Sequence, residues 1–155
     1  MNMTDDEKLK LLLANGAERF PREDWITFPI VDSLRTYQKE LEASGFESEV
    51  IPYEKATMYG CKLDDLVIYV MNDDSMYPSA FKNDELYLAY RKSPEEGQIA
   101  AVLVDGSADG IKIRGIRYGN GSIDLVPVNE NFQTETYPLE EVSILGLVCG
   151  YRRNL

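Results

Sequence analysis

The stretch VMNDDSMYP (70–78) places Ser75 behind two aspartates and ahead of Pro78, directly after the apolar run DLVIYV (65–70). Asn, Asp and Pro favour turns at strand ends. A serine at such a turn is either a capping hydroxyl or a presented nucleophile. The chain has no histidine, which removes Ser-His-Asp and Cys-His catalysis and most zinc sites. A nucleophilic Ser75 therefore needs a lysine or a carboxylate as its base. Lys112 and Arg114, in GIKIRGIRY (110–118), are two residues apart in a strand-like pattern, so their side chains share one face. Lysine starts near a pKa of ~10.4 and can be lowered by burial, whereas arginine is not deprotonated in proteins. Only one of the two can act as a base.

The elements that must position these residues fall into two textures. Residues 4–20, TDDEKLKLLLANGAERF, read as a helix. Thr4 is its N-cap, Glu7 completes a capping box, and Leu9, Leu12, Leu13 and Phe20 form an apolar stripe interrupted at Asn15-Gly16. A second helix is expected from Asp32 or Ser33, with Leu34, Tyr37 and Leu41 at helical spacing and Gly45 at its C-terminal end. After Gly45 the chain turns to short strands: 50–53, 65–70, 85–92, 98–106, 110–118, 122–128 and 142–153. QIAAVLVDG (98–106) is nearly continuously apolar, which implies burial on both faces. Gly119-Asn120-Gly121 marks a hairpin. The expected fold class is α+β, with a small helical N-terminal segment over 1–60 and a mostly-β domain over 61–155.

Composition narrows the function classes. The formal net charge is −11 and no segment is basic, so the electrostatic footprint of a nucleic-acid binder is missing. No apolar run reaches the ~20 residues of a membrane helix, and MNMTDDEKLK is not a secretory signal. The expectation is a cytoplasmic protein without a membrane partner. Cys61 and Cys149 read as small apolar thiols. Tyr87, Tyr90, Tyr118 and Tyr151 read as half-buried strand tyrosines rather than a base-stacking surface. The paired acids Asp64-Asp65, Asp73-Asp74 and Glu95-Glu96 lack metal-ligand spacing and read as turn charges. No cofactor or metal is expected.

DDSMYPSAFKNDELYLAYR (73–91) resembles the serine motif of LexA-like proteins of peptidase family S24, a Gly-Asp-Ser-Met-x-Pro loop followed by Gly-Asp and a strand. EEGQIAAVLVDG (95–106), GIKIRGIRYGNGSIDLVPVNENF (110–132) and VSILGLVCGYRR (142–153) are similar, in the same order, to the next strand, the lysine hairpin with its Pro-x-Asn, and the final strand. The resemblance spans roughly residues 62–155. It implies a strongly curved, dimerising β fold with a Ser-Lys dyad that cuts its own chain upstream, in LexA under stimulation by RecA filaments. Carried over, Ser75 is the nucleophile, Lys112 or the residue at the lysine position is the base, and Asp74 and Met76 hold the loop. Backbone N–H groups near Ser75 would hold the oxyanion. A homodimer and a RecA-like co-protease are the implied partners.

Several positions depart from that pattern. Asp73 stands where the family has Gly, and Asn83-Asp84 where it has Gly-Asp. Counting forward from Ser75 puts Lys112 at the lysine position, while aligning backward from VPVN puts Arg114 there. The family cleaves Ala-Gly or Cys-Gly, and neither pair occurs upstream of Ser75. Family repressors carry a DNA-binding helix-turn-helix at the N-terminus. SLRTYQKELEASGF (33–46) faintly resembles a second helix of that kind, with Arg35 and Lys39 available to phosphates. Glu40, Glu42, Glu47 and Glu49 oppose such contacts. The segment is read as a DNA-binding head or as a protein-interaction element.

Overall fold

A computed structural model describes residues 3–19, 25–28, 49–52, 57–58, 61–62 and 65–153. Helix α1, Asp5–Ala14, begins as its sequence dictates: the Thr4 hydroxyl accepts from Glu7 N, and Asp5, Asp6 and Glu7 occupy the first turn. The helix stops well before residue 20. Gly16, at φ +96°, supplies the left-handed residue that ends helices, and the chain leaves as strand β1, Glu18–Arg19. Leu12 is fully buried while Leu13, expected on the same stripe, is exposed. The expected helix over 32–45 lies outside the described residues.

Contacts group residues 1–20 with 65–155, and 21–64 separately. Helix α1 and the turn after it, assigned from sequence to the 1–60 segment, therefore share the β unit's core through Leu12 and Ala17. In the 21–64 unit, β2 (Trp25–Phe28) pairs antiparallel with β3 (Glu49–Pro52), and β4 (Thr57–Met58) with β5 (Cys61–Lys62).

The β unit is one antiparallel sheet. Its remaining strands are β6 (Leu66–Val70), β7 (Glu85–Ala89), β8 (Ile99–Val104), β9 (Lys112–Tyr118), β10 (Ser122–Val126), β11 (Glu135–Pro138) and β12 (Val142–Arg152). They lie in the order β1-β6-β7-β12-β8-β9-β10-β11. The chain is thus α+β, mostly β with a small helical N-terminal segment. Strand β8 is buried on both faces, as its apolar run predicts. Ala101 joins a cluster with Leu86, Leu88, Ile113 and Leu145, while Ala100, Val102 and Val104 join one with Ile116, Ile123 and Leu125. Strand β12 bends across this frame by register shifts at Ile144/Gly146 and Val148/Gly150, the geometry of β-bulges. Among the described residues, no helix is long and apolar enough to cross a membrane.

Candidate functional site

Residues 71–84 connect β6 to β7 as a loop folded back on itself. Its base is closed by Met71 N to Asp84 O and Asn83 N to Met71 O, both 2.8 Å, with Asn83 at φ +75°, a conformation asparagine tolerates. Met71 and Met76 are buried in the core, so the polar knot is anchored by apolar side chains at two points. That answers why DLVIYV runs straight into NDDS: the loop continues into the protein rather than away from it. Ser75 between them is 0% exposed.

Ser75 is satisfied on every side. Its hydroxyl donates to Asp73 Oδ1 at 2.6 Å, and its backbone N–H donates to the same oxygen at 3.0 Å. The hydroxyl accepts from Arg114 Nη1 at 2.7 Å. Its carbonyl accepts from Val128 N (3.0 Å) and Asn129 N (2.9 Å), and Asn129 Nδ2 donates to Asp74 O at 2.9 Å. The VPVNENF segment after β10 therefore clasps the serine turn from below.

Strand β9 supplies the cations. Arg114 is buried. Its Nη1 also donates to Ile113 O (2.9 Å), its guanidinium faces the Phe132 ring at 5.8 Å, and Asp73 Oδ2 lies 3.9 Å away. Its Nε is buried with no hydrogen-bond partner. Lys112 points to other acceptors: its Nζ donates to both oxygens of Glu135, at 3.0 and 3.2 Å, and lies 3.4 Å from Asp109 Oδ2. Burial alone would lower the Lys112 pKa. The hydrogen bond and charge of Glu135, with help from Asp109, outweigh it and hold the ammonium above its usual value. Glu135 is held below the usual carboxylate range, first by the hydrogen bond from Tyr137 and then, against the opposing effect of burial, by Lys112.

Of the residues singled out from sequence, Ser75 and Arg114 are brought together, whereas Lys112 is paired with Glu135 and Asp109. Met76 anchors the loop and the Asp74 carbonyl receives Asn129. Three participants were not identified as site residues beforehand. Asp73 reads from sequence as a turn charge and as a departure at a family glycine, Phe132 lies only inside the quoted hairpin, and Glu135 lies in a segment too short to read as a strand.

Chemically, the arrangement holds a hydroxyl more than it activates one. Asp73 Oδ1 accepts hydrogen bonds from both the Ser75 hydroxyl and the Ser75 backbone N–H. Two groups touch the oxygen: the Asp73 carboxylate at 2.6 Å, and the Arg114 guanidinium at 2.7 Å, which donates but does not accept a proton. Residues 29–149 match the model of the Peptidase S24-like family. No curated protein matches the chain.

Proposed function

The chain belongs to the Peptidase S24-like family, and from that premise we propose that it is a cytoplasmic LexA-like regulator whose serine site has become a structural joint. In this reading the β unit is a non-cleaving module for dimerisation or protein interaction. The 2.7 Å contact from Arg114 to the Ser75 hydroxyl carries the reading, because the cation within reach of the serine is a permanent donor and a Ser-Lys peptidase needs a lysine that accepts, while the Asp73 carboxylate on the same hydroxyl also holds the Ser75 N–H. For Lys112 to take that role it would have to leave Glu135 and Asp109 and lose a proton that both hold in place. The lack of an upstream Ala-Gly or Cys-Gly pair agrees. A RecA-like partner would then have no cleavage to stimulate. Any DNA or protein contact made by residues 33–46 would be regulated by other means.

Intact mass after incubation at about pH 7.5 and about pH 10 tests this directly. The mass is expected to stay near 17.6 kDa in wild type, Ser75→Ala, Lys112→Ala and Arg114→Ala alike. A fragment pair present in wild type and missing from Ser75→Ala would overturn the proposal, and its loss in Lys112→Ala as well would return the base to Lys112. Sedimentation of the same wild-type sample should give twice the chain mass. A monomer at tens of micromolar would remove dimerisation from the reading.

A further inference from the structure

We infer that Arg153 is a positioning residue for the serine loop, a strap from the end of the last strand that holds residues 71–84 in place. Strand β12 pairs with β7 as far as Arg152 opposite Glu85, which is the residue after the loop's closing Asp84. Arg153 is thus the first residue past the sheet, and its side chain turns back onto the loop. Its Nε and Nη2 donate to the two oxygens of Asp84 at 2.8 and 2.7 Å, the bidentate geometry that a guanidinium favours. Its Cζ lies 3.7 Å from the centre of the Phe81 ring and 5.0 Å from that of Tyr151.

The grip reaches the serine turn through short steps. Asp84 Oδ2 also accepts from Phe81 N at 2.7 Å. The Phe81 ring meets Tyr77 at 5.0 Å between centroids, and Tyr77 N donates to Asp74 O at 3.1 Å. Asp84 is 1% exposed. Without Arg153 it would be a buried carboxylate lacking its counter-charge, a costly state. The loop can relieve that cost by swinging Asp84 toward water, which opens the backbone closure at Met71. Arg153 itself is partly exposed and no strand pairing depends on it. Losing the strap should therefore loosen the loop while leaving the sheet intact. This role concerns where the loop sits, and it holds whether or not Ser75 can cleave.

Amide hydrogen exchange on the full chain tests it, comparing wild type with Arg153→Ala, Arg153→Lys and Asp84→Asn. Peptides within 72–83 are expected to exchange about tenfold faster in Arg153→Ala and Asp84→Asn, with β8 and β9 unchanged. Arg153→Lys should fall between, since lysine keeps the charge but not the fork or the flat stacking. Unchanged loop exchange in Arg153→Ala would overturn the inference. Equal acceleration across β8 and β9 would too, because it would make Arg153 a contributor to global stability instead. Should Arg153→Ala not fold, loop exchange in Arg153→Lys and Asp84→Asn indistinguishable from wild type would sink the idea.

Discussion

Lys112 and Arg114 lie on one face of strand β9, yet Lys112 is tied to Glu135 at 3.0 Å and Arg114 to Ser75 at 2.7 Å. The two-residue offset divides the cations between two neighbourhoods. One is a carboxylate cluster on β11 and the 105–111 connection, and the other is the serine turn. Each cation has a distinct job, and the two can be perturbed separately.

Arg114 fills space as well as donating hydrogen bonds. Arg114→Ala removes the donor to Ser75 Oγ and the contact with Phe132, and leaves a cavity beside Asp73. Its cost should be on the order of 3 kcal/mol. Arg114→Met loses the same hydrogen bonds but keeps most of the volume and also removes the buried, unpartnered Nε, so it should cost clearly less, by about the cavity contribution. Urea denaturation of both variants checks this. Equal losses would mean that the charge, not the packing, dominates.

The cluster of Glu135, held by Tyr137 and Lys112, gives stability at both ends of the pH range. Glu135 has a lowered folded pKa, so its contribution is present above the unfolded value of ~4.3 and is lost as pH falls through the lower folded value. Lys112 has a raised folded pKa, so its contribution is complete below ~10.4 and is lost as pH rises through the higher folded value. Urea midpoints should therefore change less between about pH 8 and pH 11 in Lys112→Met than in wild type, and less on the acid side in Glu135→Gln. A Lys112→Met curve parallel to wild type through the alkaline limb would show that the pair is not formed in solution.

Much of this fold was legible because local chemistry and global pattern agree. Thr4 and Glu7 announce the helix start, Gly119-Asn120-Gly121 announces the β9–β10 turn, and the apolar run of β8 announces burial on both faces. The failures have physical causes. Strand β1 is only Glu18–Arg19, both exposed, and it exists because β6 offers a free edge at Val67 and Ile68, a tertiary fact with no local signal. Strand β11 is too short to stand out although Thr136 and Tyr137 are strand-favouring types, and its pairing with β10 makes it a strand. At the site, choosing between Lys112 and Arg114 was beyond periodicity because a shift of two residues keeps the strand face. Asp73 was equally silent. An aspartate in a turn is common, and its grip on Ser75 appears only once the loop is folded.

Gly146 offers a test of how β12 crosses the sheet. A Cβ there would stand 2.9 Å from Ala89 O and 3.1 Å from Tyr90 Cα, both backbone atoms at the end of β7. No side-chain rotation can relieve that contact, so Gly146→Ala should push β12 away from β7 and cost more than ~2 kcal/mol. Thermal unfolding would check it. A melting temperature within a degree or two of wild type would mean that the bulge at Ile144/Gly146 can shift to absorb a methyl group.

Ser75→Ala separates a held serine from a working one by the sign of its effect on stability. Active-site groups are often strained or poorly satisfied, and removing them frequently leaves a protein as stable or more so. Ser75 is the opposite case: its hydroxyl donates to Asp73 and accepts from Arg114 while fully buried. Truncation would leave the Arg114 Nη1 hydrogen-bonded to Ile113 O and the Asp73 carboxylate hydrogen-bonded to the backbone N–H of residue 75, with their own 3.9 Å ion pair between them. Losing one partner of buried, charge-assisted hydrogen bonds costs about 1.5–3 kcal/mol, so Ser75→Ala is expected to be less stable than wild type by that amount. A variant as stable as wild type would argue that the serine is poised for chemistry after all, and would reopen the search for its base.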